Sequence, residues 1–228
     1  LYTGRNLAGS TVGIAYKGGI GQGGGLVLCN SNFGVGLSEG NGSANFDSLV
    51  AAHEIGHNFG LHHANKDVRE GADIEYGDHS CIMGSGRQNT GLNCPHVLHL
   101  GLASGREITT VEQSAQLLLC PIEVPEPAMH ESECKHVIVN PPGKDQTYVS
   151  LRKGKGFPYL PTIDERTIYL HSMDRYGKSA LLGTLRPGEN KGLPGGVGGA
   201  ESLSLVSENN IFKSPPSSTL FKNLKIVV

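Results

Sequence analysis

The sequence has few of the residues that usually build a large core. Its 228 residues include no tryptophan, and only 6% are aromatic and 37% hydrophobic. These fractions are low for a globular chain, and the 33 glycines indicate many turns. The composition therefore favours a loop-rich or β-rich fold, in one large domain or two small ones.

Further absences exclude whole classes of protein. No apolar run approaches the roughly 18 residues of a membrane-spanning helix, so we expect no membrane span. The 19 basic and 21 acidic residues give a formal net charge of −2. Because this leaves no excess of positive charge for phosphate groups, a nucleic-acid partner is not expected. The glycine-rich run at 21–25 lacks the Lys-Ser or Lys-Thr of a nucleotide-binding loop.

The cysteines lack the Cys-x-x-Cys spacing of a cysteine zinc site. The chain has five: Cys29, Cys81, Cys94, Cys120 and Cys134. Such scattered cysteines fit disulfides in a secreted protein better than metal ligands. Short separations lead us to expect Cys81 paired with Cys94 and Cys120 paired with Cys134, which leaves Cys29 single.

Apolar periodicity and turn residues predict two kinds of structure along the chain. The first part should contain strands at 11–17, 25–29 and 34–38, a helix over about 45–59, an irregular loop over 64–94 and a short helix over 95–100. Beyond about residue 105, short β-prone runs alternate with Pro, Gly, Asn and Asp turns, which favours an antiparallel β module. We therefore expect an α/β fold, with one domain at 1–105 and a β-rich module at 106–228.

The candidate metal ligands and the candidate general base lie in the segment from His53 to His63. His53 and His57 are four residues apart on the predicted helix, so both imidazoles can reach one metal ion. Glu54 can hold a metal-activated water and accept its proton. Gly60 permits a sharp turn, after which His63 can approach the metal from another direction. Three histidines with an open position suit a catalytic Zn²⁺ best, although copper also accepts imidazole ligands.

This segment resembles the metzincin signature His-Glu-x-x-His-x-x-Gly-x-x-His and matches its fixed positions. Metzincins also have a Met-turn beneath the metal, and Met83 fits that role. The resemblance implies a zinc endopeptidase with a mixed sheet above its active-site helix. A gluzincin would instead need a downstream glutamate ligand; Glu70 and Glu75 follow the motif, but His63 makes them unnecessary.

Within the metzincins, the chain looks most like the gametolysin family. The likeness rests on the segments at 15–18, 75–84, 92–101 and 146–152, which are Ala-Tyr-Lys-Gly, Glu-Tyr-Gly-Asp-His-Ser-Cys-Ile-Met-Gly, Leu-Asn-Cys-Pro-His-Val-Leu-His-Leu-Gly and Gln-Thr-Tyr-Val-Ser-Leu-Arg. It implies a secreted, extracellular enzyme whose substrates are proteins or glycoproteins of a matrix or cell wall.

The segment before the motif is short for a metzincin. Only 52 residues precede His53, about half of what the resemblance implies, so we expect the 1–105 domain to be truncated at its start. An alternative function is a catalytically incompetent, matrix-binding or structural fragment. The intact Glu54 favours the enzyme, because a binding module does not need a general base, whereas the missing half favours the alternative.

Other histidines have less specific interpretations. His62 is expected to be solvated, and His79 could support the Met-turn or cap its loop. His96 and His99 with Cys94 could form a second metal site, although a packing helix is the preferred interpretation. No tyrosine lies two residues after Met83, so a tyrosine switch of the astacin type is not expected.

Overall fold

A computed structural model describes residues 13–15, 17, 27–29, 48–67, 73–85, 90–111, 116–139, 146–152, 167–186, 190–192, 202–206 and 223–227. The strand expected at 34–38 lies outside these residues. In chain order the elements are β1 (Gly13–Ala15), β2 (Val27–Cys29), α1 (Ser48–Asn58), β3 (Ala64–Lys66), α2 (Cys94–His99), β4 (Ile108–Val111), β5 (Gln116–Leu119), β6 (Glu133–Cys134), β7 (His136–Val139), β8 (Thr147–Arg152), β9 (Thr167–Met173), β10 (Ser179–Leu185), β11 (Asn190–Gly192), β12 (Ser202–Val206) and β13 (Asn223–Val227).

The expected α/β class is confirmed by a mixed sheet with few helices. A six-stranded sheet has the order β3-β10-β9-β8-β7-β4, and a five-stranded sheet has the order β11-β12-β13-β5-β6. β1 and β2 form a separate antiparallel pair that contacts α1. In the described part of the chain, no helix is long and apolar enough to cross a membrane.

Strand direction differs from the expectation of an antiparallel module. The four central strands of the six-stranded sheet, β10 to β7, are antiparallel, but both edge strands join it in parallel. In the five-stranded sheet, β12, β13, β5 and β6 all pair in parallel. The expectation is therefore wrong for the second sheet and for these edges, since turn residues between runs do not reveal which runs pair.

The two faces of the central strands differ in chemistry because side chains alternate along a strand. One face carries an apolar cluster formed by Val137 and Val139 from β7, Val149 and Leu151 from β8, and Ile168 and Leu170 from β9. Leu119 and Cys134 of the second sheet belong to the same cluster. The main core thus lies between the two sheets. The other face carries buried Arg152, Tyr169 and His171 and covers the loop that supports the histidine motif.

The six-stranded sheet crosses the predicted boundary at residue 105. β3 lies in the segment 1–105 and is hydrogen bonded to β10 of the segment 106–228. Residues 64–66 therefore form a strand and not the expected irregular loop. Side chains also join the two segments, because Asn93 donates a hydrogen bond to Ser179 at 2.9 Å.

Both helices begin or end as their capping residues predict. After α1, Gly60 has φ +92°, its N–H donates to the carbonyl of His57, and the N–H of Leu61 donates to that of Gly56. These two bonds define a Schellman motif, which needs a left-handed residue. Before α2, the side chain of Asn93 accepts a hydrogen bond from His96 N.

Candidate metal centre

The structure brings His53, His57 and His63 together. Their ring centroids are 4.8 to 5.4 Å apart, and their ligand atoms all lie within 4.8 Å of one another. α1 supplies His53 and His57 from successive turns. The Schellman motif reverses the chain, and β3 fixes the residues immediately after His63.

Each histidine has a hydrogen-bond partner at Nδ1. In His53 this atom lies 2.8 Å from the carbonyl oxygen of Ile82, and in His57 it lies 2.8 Å from that of Leu61. In His63 it lies 2.7 Å from Oε1 of Glu75. Carbonyl and carboxylate oxygens accept hydrogen bonds, so Nδ1 carries the proton in each ring and Nε2 keeps its lone pair.

The environment of His53 and His57 favours the neutral form of both rings. Burial lowers the pKa of His53, and the hydrogen bond to Ile82 opposes this effect only in part. Burial likewise lowers the pKa of His57, with a further contribution from the neighbouring His63. Neutral imidazoles are the form that binds a metal.

The donor set fits zinc. Three imidazole nitrogens on adjacent elements, with outer hydrogen bonds that orient the rings, are typical of a site that keeps one position open. Among the described residues, this is the one group of three or more potential ligands that could hold a metal ion.

Glu54 lies beside His53 on α1 and is only 6% exposed. Burial raises the pKa of its carboxyl group. A carboxylate whose pKa moves toward neutrality exchanges protons more readily near neutral pH than an exposed one.

Met83 lies directly beneath α1. It is fully buried, and a Cβ atom added to Gly56 would lie 2.4 Å from its sulfur. The carbonyl of Met83 accepts a hydrogen bond of 2.8 Å from the N–H of Ala64, the residue after His63. Met83 therefore supports both the helix and the turn that carry the cluster.

A buried polar network holds the loop that contains Met83. Asp78 accepts hydrogen bonds from the backbone and side chain of Ser80 at 2.8 and 2.6 Å and from Asn93 at 2.9 Å. It also lies 3.0 Å from Nε2 of His171 on β9. Although burial raises it, the net pKa of Asp78 is well below its usual range because of the His171 charge and these hydrogen bonds.

Arg152 on β8 attaches the same loop to the six-stranded sheet by hydrogen bonds. Its guanidinium group donates to the carbonyls of Ser80, Leu92 and Thr90 at 2.7, 2.9 and 2.6 Å. Arg152 thus anchors the loop two residues before Ile82, whose carbonyl accepts the hydrogen bond of His53.

Sequence reasoning missed Glu75 and Tyr76 as parts of the site. Glu75 orients His63, and the ring centroid of Tyr76 lies 3.9 Å from that of His63 and 5.9 Å from that of His53. The sequence indicates Glu75 only as an alternative metal ligand. The astacin pattern places a tyrosine after Met83, whereas Tyr76 comes before it.

The other histidines have separate partners. His62 contacts the amine of exposed Lys17. His96 is fully buried, with its Nδ1 3.4 Å from the sulfur of Cys81, and burial lowers its pKa to about 3. These contacts favour the packing-helix interpretation of α2 over a second metal site.

The expected disulfides are not present. Cys81, Cys94, Cys120 and Cys134 are all free thiols, and the side chain of Cys29 lies outside the described residues. The sulfur of Cys81 instead accepts a hydrogen bond from Asn93 N at 3.3 Å. Burial raises the pKa of Cys81 to about 12 and that of Cys120 to about 11.

The comparison with known families agrees with this site. Residues 3–64 match the model of a family described as metallo-peptidase family M12B, reprolysin-like. The match contains the whole motif and ends one residue after His63. No solved structure matches the chain. The family match and the three-histidine cluster together support a metzincin-like, zinc-dependent peptidase.

Proposed function

We propose that the protein is a zinc-dependent endopeptidase in which His53, His57 and His63 bind the metal and Glu54 is the general base. The observation that carries the proposal is the engagement of all three Nδ1 atoms, which leaves the three Nε2 atoms available to one ion. The reprolysin-like match over the same residues supports it independently.

The residues of the site divide the reaction between them. Bound zinc supplies a Lewis acid that polarises the scissile carbonyl and favours ionisation of water. Glu54 accepts the proton of the attacking water and returns it to the leaving amine. Its burial supports this role, because the raised pKa makes both the acceptance and the return of a proton accessible near neutral pH.

We further propose that the enzyme is gametolysin-like and secreted and that it acts on proteins or glycoproteins of a matrix or cell wall. The resemblance at 75–84 and 92–101 supports this subtype. A comparison of labelled hydroxyproline-rich cell-wall glycoprotein with labelled casein tests the substrate class. We expect the higher kcat/KM for the glycoprotein, and an equal or lower value would contradict the matrix specificity alone.

Glu54→Gln tests the catalytic proposal. Glutamine keeps the size and polarity of the side chain but cannot accept the proton, so we expect casein cleavage to fall by about 10²–10⁴-fold. Elemental analysis should find about one zinc per chain in both proteins. The matched control is Glu131→Gln, which changes an exposed glutamate and should cleave like the wild type.

Two results would contradict the proposal. Wild-type turnover by Glu54→Gln would show that another group is the base. Folded wild-type protein that takes up no zinc would exclude the metal site itself.

A further inference from the structure

Tyr76 has a backbone conformation that its side chain disfavours. The N–H of Gly77 donates to the carbonyl of Ile74 at 3.0 Å, so residues 74–77 form a β-turn with Tyr76 at its third position. There Tyr76 has φ +58° and is, in the described part of the chain, the one residue other than glycine with a positive φ. That position normally favours Gly or Asn, since a Cβ atom is crowded in the left-handed region.

The surrounding chain holds this turn in place. Ile74 and Lys66 exchange two backbone hydrogen bonds of 3.0 Å, and the N–H of Asp78 donates to the carbonyl of Ala64 at 3.2 Å. Gly77 packs so closely that an added Cβ would lie 2.6 Å from Cβ of Lys66. A disfavoured conformation that is fixed from both sides is typical of functional sites.

The turn directs both of its central side chains onto His63. Glu75 binds the edge of the imidazole at Nδ1, and the ring of Tyr76 lies over its face, 3.9 Å between centroids. Tyr76 is 41% exposed, whereas Met83 is fully buried beneath α1. Tyr76 therefore covers the cluster on the solvent side, from which a peptide must enter.

Tyr76 also lies near the part of α1 that carries the proposed base. Its ring centroid is 5.9 Å from that of His53, the residue directly before Glu54.

The geometry points to Tyr76 as a further catalytic residue, whose hydroxyl donates a hydrogen bond to the oxygen of the scissile carbonyl as negative charge develops there. This inference rests on the proposed peptidase function. A donor placed in advance at a developing oxyanion stabilises the transition state more than the ground state. The proton that is transferred moves from the attacking water to Glu54 and then to the leaving amine. The phenol therefore keeps its own proton throughout.

Tyr76→Phe is the test, because it removes the hydroxyl and keeps the ring over His63. We expect kcat for a quenched fluorescent peptide to fall by about 10²–10³-fold, with KM changed less than about threefold. The affinity for a phosphinic peptide that mimics the tetrahedral species should fall by a similar factor in calorimetry. The matched control is Tyr148→Phe, which removes a hydroxyl bonded to Gln146 at 2.9 Å and should behave like the wild type.

Zinc affinity, measured by competition with a chelator, separates this role from others. We expect the same affinity for Tyr76→Phe and the wild type. A lower affinity would overturn the inference, since Tyr76 would then be a ligand or a support for His63. Equal kcat and equal phosphinic-peptide affinity would also overturn it, while peptidase activity of the wild type would keep the proposed function intact. A wild type without zinc or cleavage would exclude both.

Discussion

The three candidate ligands differ in what holds their Nδ1 atoms. His53 and His57 use backbone carbonyls, whereas His63 depends on the side chain of Glu75, which is itself exposed. A mutation can therefore remove the partner of His63 without disturbing the backbone. Glu75 is therefore the most suitable residue at which to test the hydrogen bonds to the Nδ1 atoms.

Glu75→Ala should weaken zinc binding by about 10–100-fold, because loss of such a partner frees the ring and lowers its basicity. Competition with a chelator measures the change. Glu75→Gln is the control, since its amide oxygen still accepts the Nδ1 hydrogen bond and should keep most of the affinity. Equal zinc affinity in Glu75→Ala and the wild type would show that the turn alone orients His63.

The three-histidine cluster could be predicted from the sequence because the spacing of its members is local. His53 and His57 are linked by helical geometry, and His63 by a glycine turn three residues after His57. Glu75 and Tyr76 could not be predicted in the same way. Their positions depend on the pairing of Lys66 with Ile74, which no periodicity reveals.

At the scale of elements, the local signals placed most helices and strands within a few residues. α1 was expected over about 45–59 and spans Ser48–Asn58, and α2 was expected over 95–100 and spans Cys94–His99. β3 was missed because Ala64, Asn65 and Lys66 are not strand formers. Its strand conformation comes from parallel pairing with β10.

Gly84→Ala tests how tightly the loop around Met83 is built. An added Cβ would lie 2.1 Å from the carbonyl oxygen of Asp78 and 2.8 Å from that of Ala64. Backbone atoms cannot move aside as a flexible side chain can, so we expect the free energy of unfolding to fall by about 3 kcal/mol. Urea titration measures it.

Gly105→Ala is the matched control for that loop. It has nothing within 4 Å of the added Cβ, so the change should stay within about 0.5 kcal/mol. Similar stability of the Gly84→Ala and Gly105→Ala proteins would show that the loop can rearrange around the methyl group.

At the scale of the molecule, the change in residue pattern after residue 105 did not reveal how the two predicted segments join. The shift toward short β-prone runs after residue 105 is real, and β4 to β13 all lie beyond it. Yet the polar residues Arg152, His171 and Ser179 face the loop of the first segment and not water. Polar side chains on a strand usually indicate a solvated face, and only the tertiary structure shows that these are buried and paired.

Buried histidines should make the whole fold sensitive to mild acid. Burial lowers the pKa of His136 on β7 to about 4, below the value of about 6.5 expected in the unfolded chain. The unfolded state thus binds the proton first, so this contribution to stability is complete above about pH 6.5 and is lost as the pH falls toward 4. The slope is about 1.4 kcal/mol per pH unit for one proton.

His136→Phe isolates this contribution, because phenylalanine has a similar shape and does not titrate. Urea titrations with saturating zinc between pH 7.5 and 5 should show a shallower loss of stability in the variant than in the wild type. His130→Phe, at an exposed position, should retain the wild-type slope. Parallel slopes for His136→Phe and the wild type would show that His136 is protonated in the folded protein.

The parallel pairing of β3 with β10 also has a consequence for the order of events during synthesis. β3 begins one residue after His63, but Ala64 pairs with Ser179, more than one hundred residues later in the chain. At roughly 5–20 residues per second, α1 leaves the ribosome on the order of ten seconds before that partner strand. The turn that carries His63 lacks the support of this pairing in the interval, so we expect the metal site to be less firmly held in the nascent chain. The complete site would then reach its final stability only after β10 has been translated, which should limit peptide cleavage before that point.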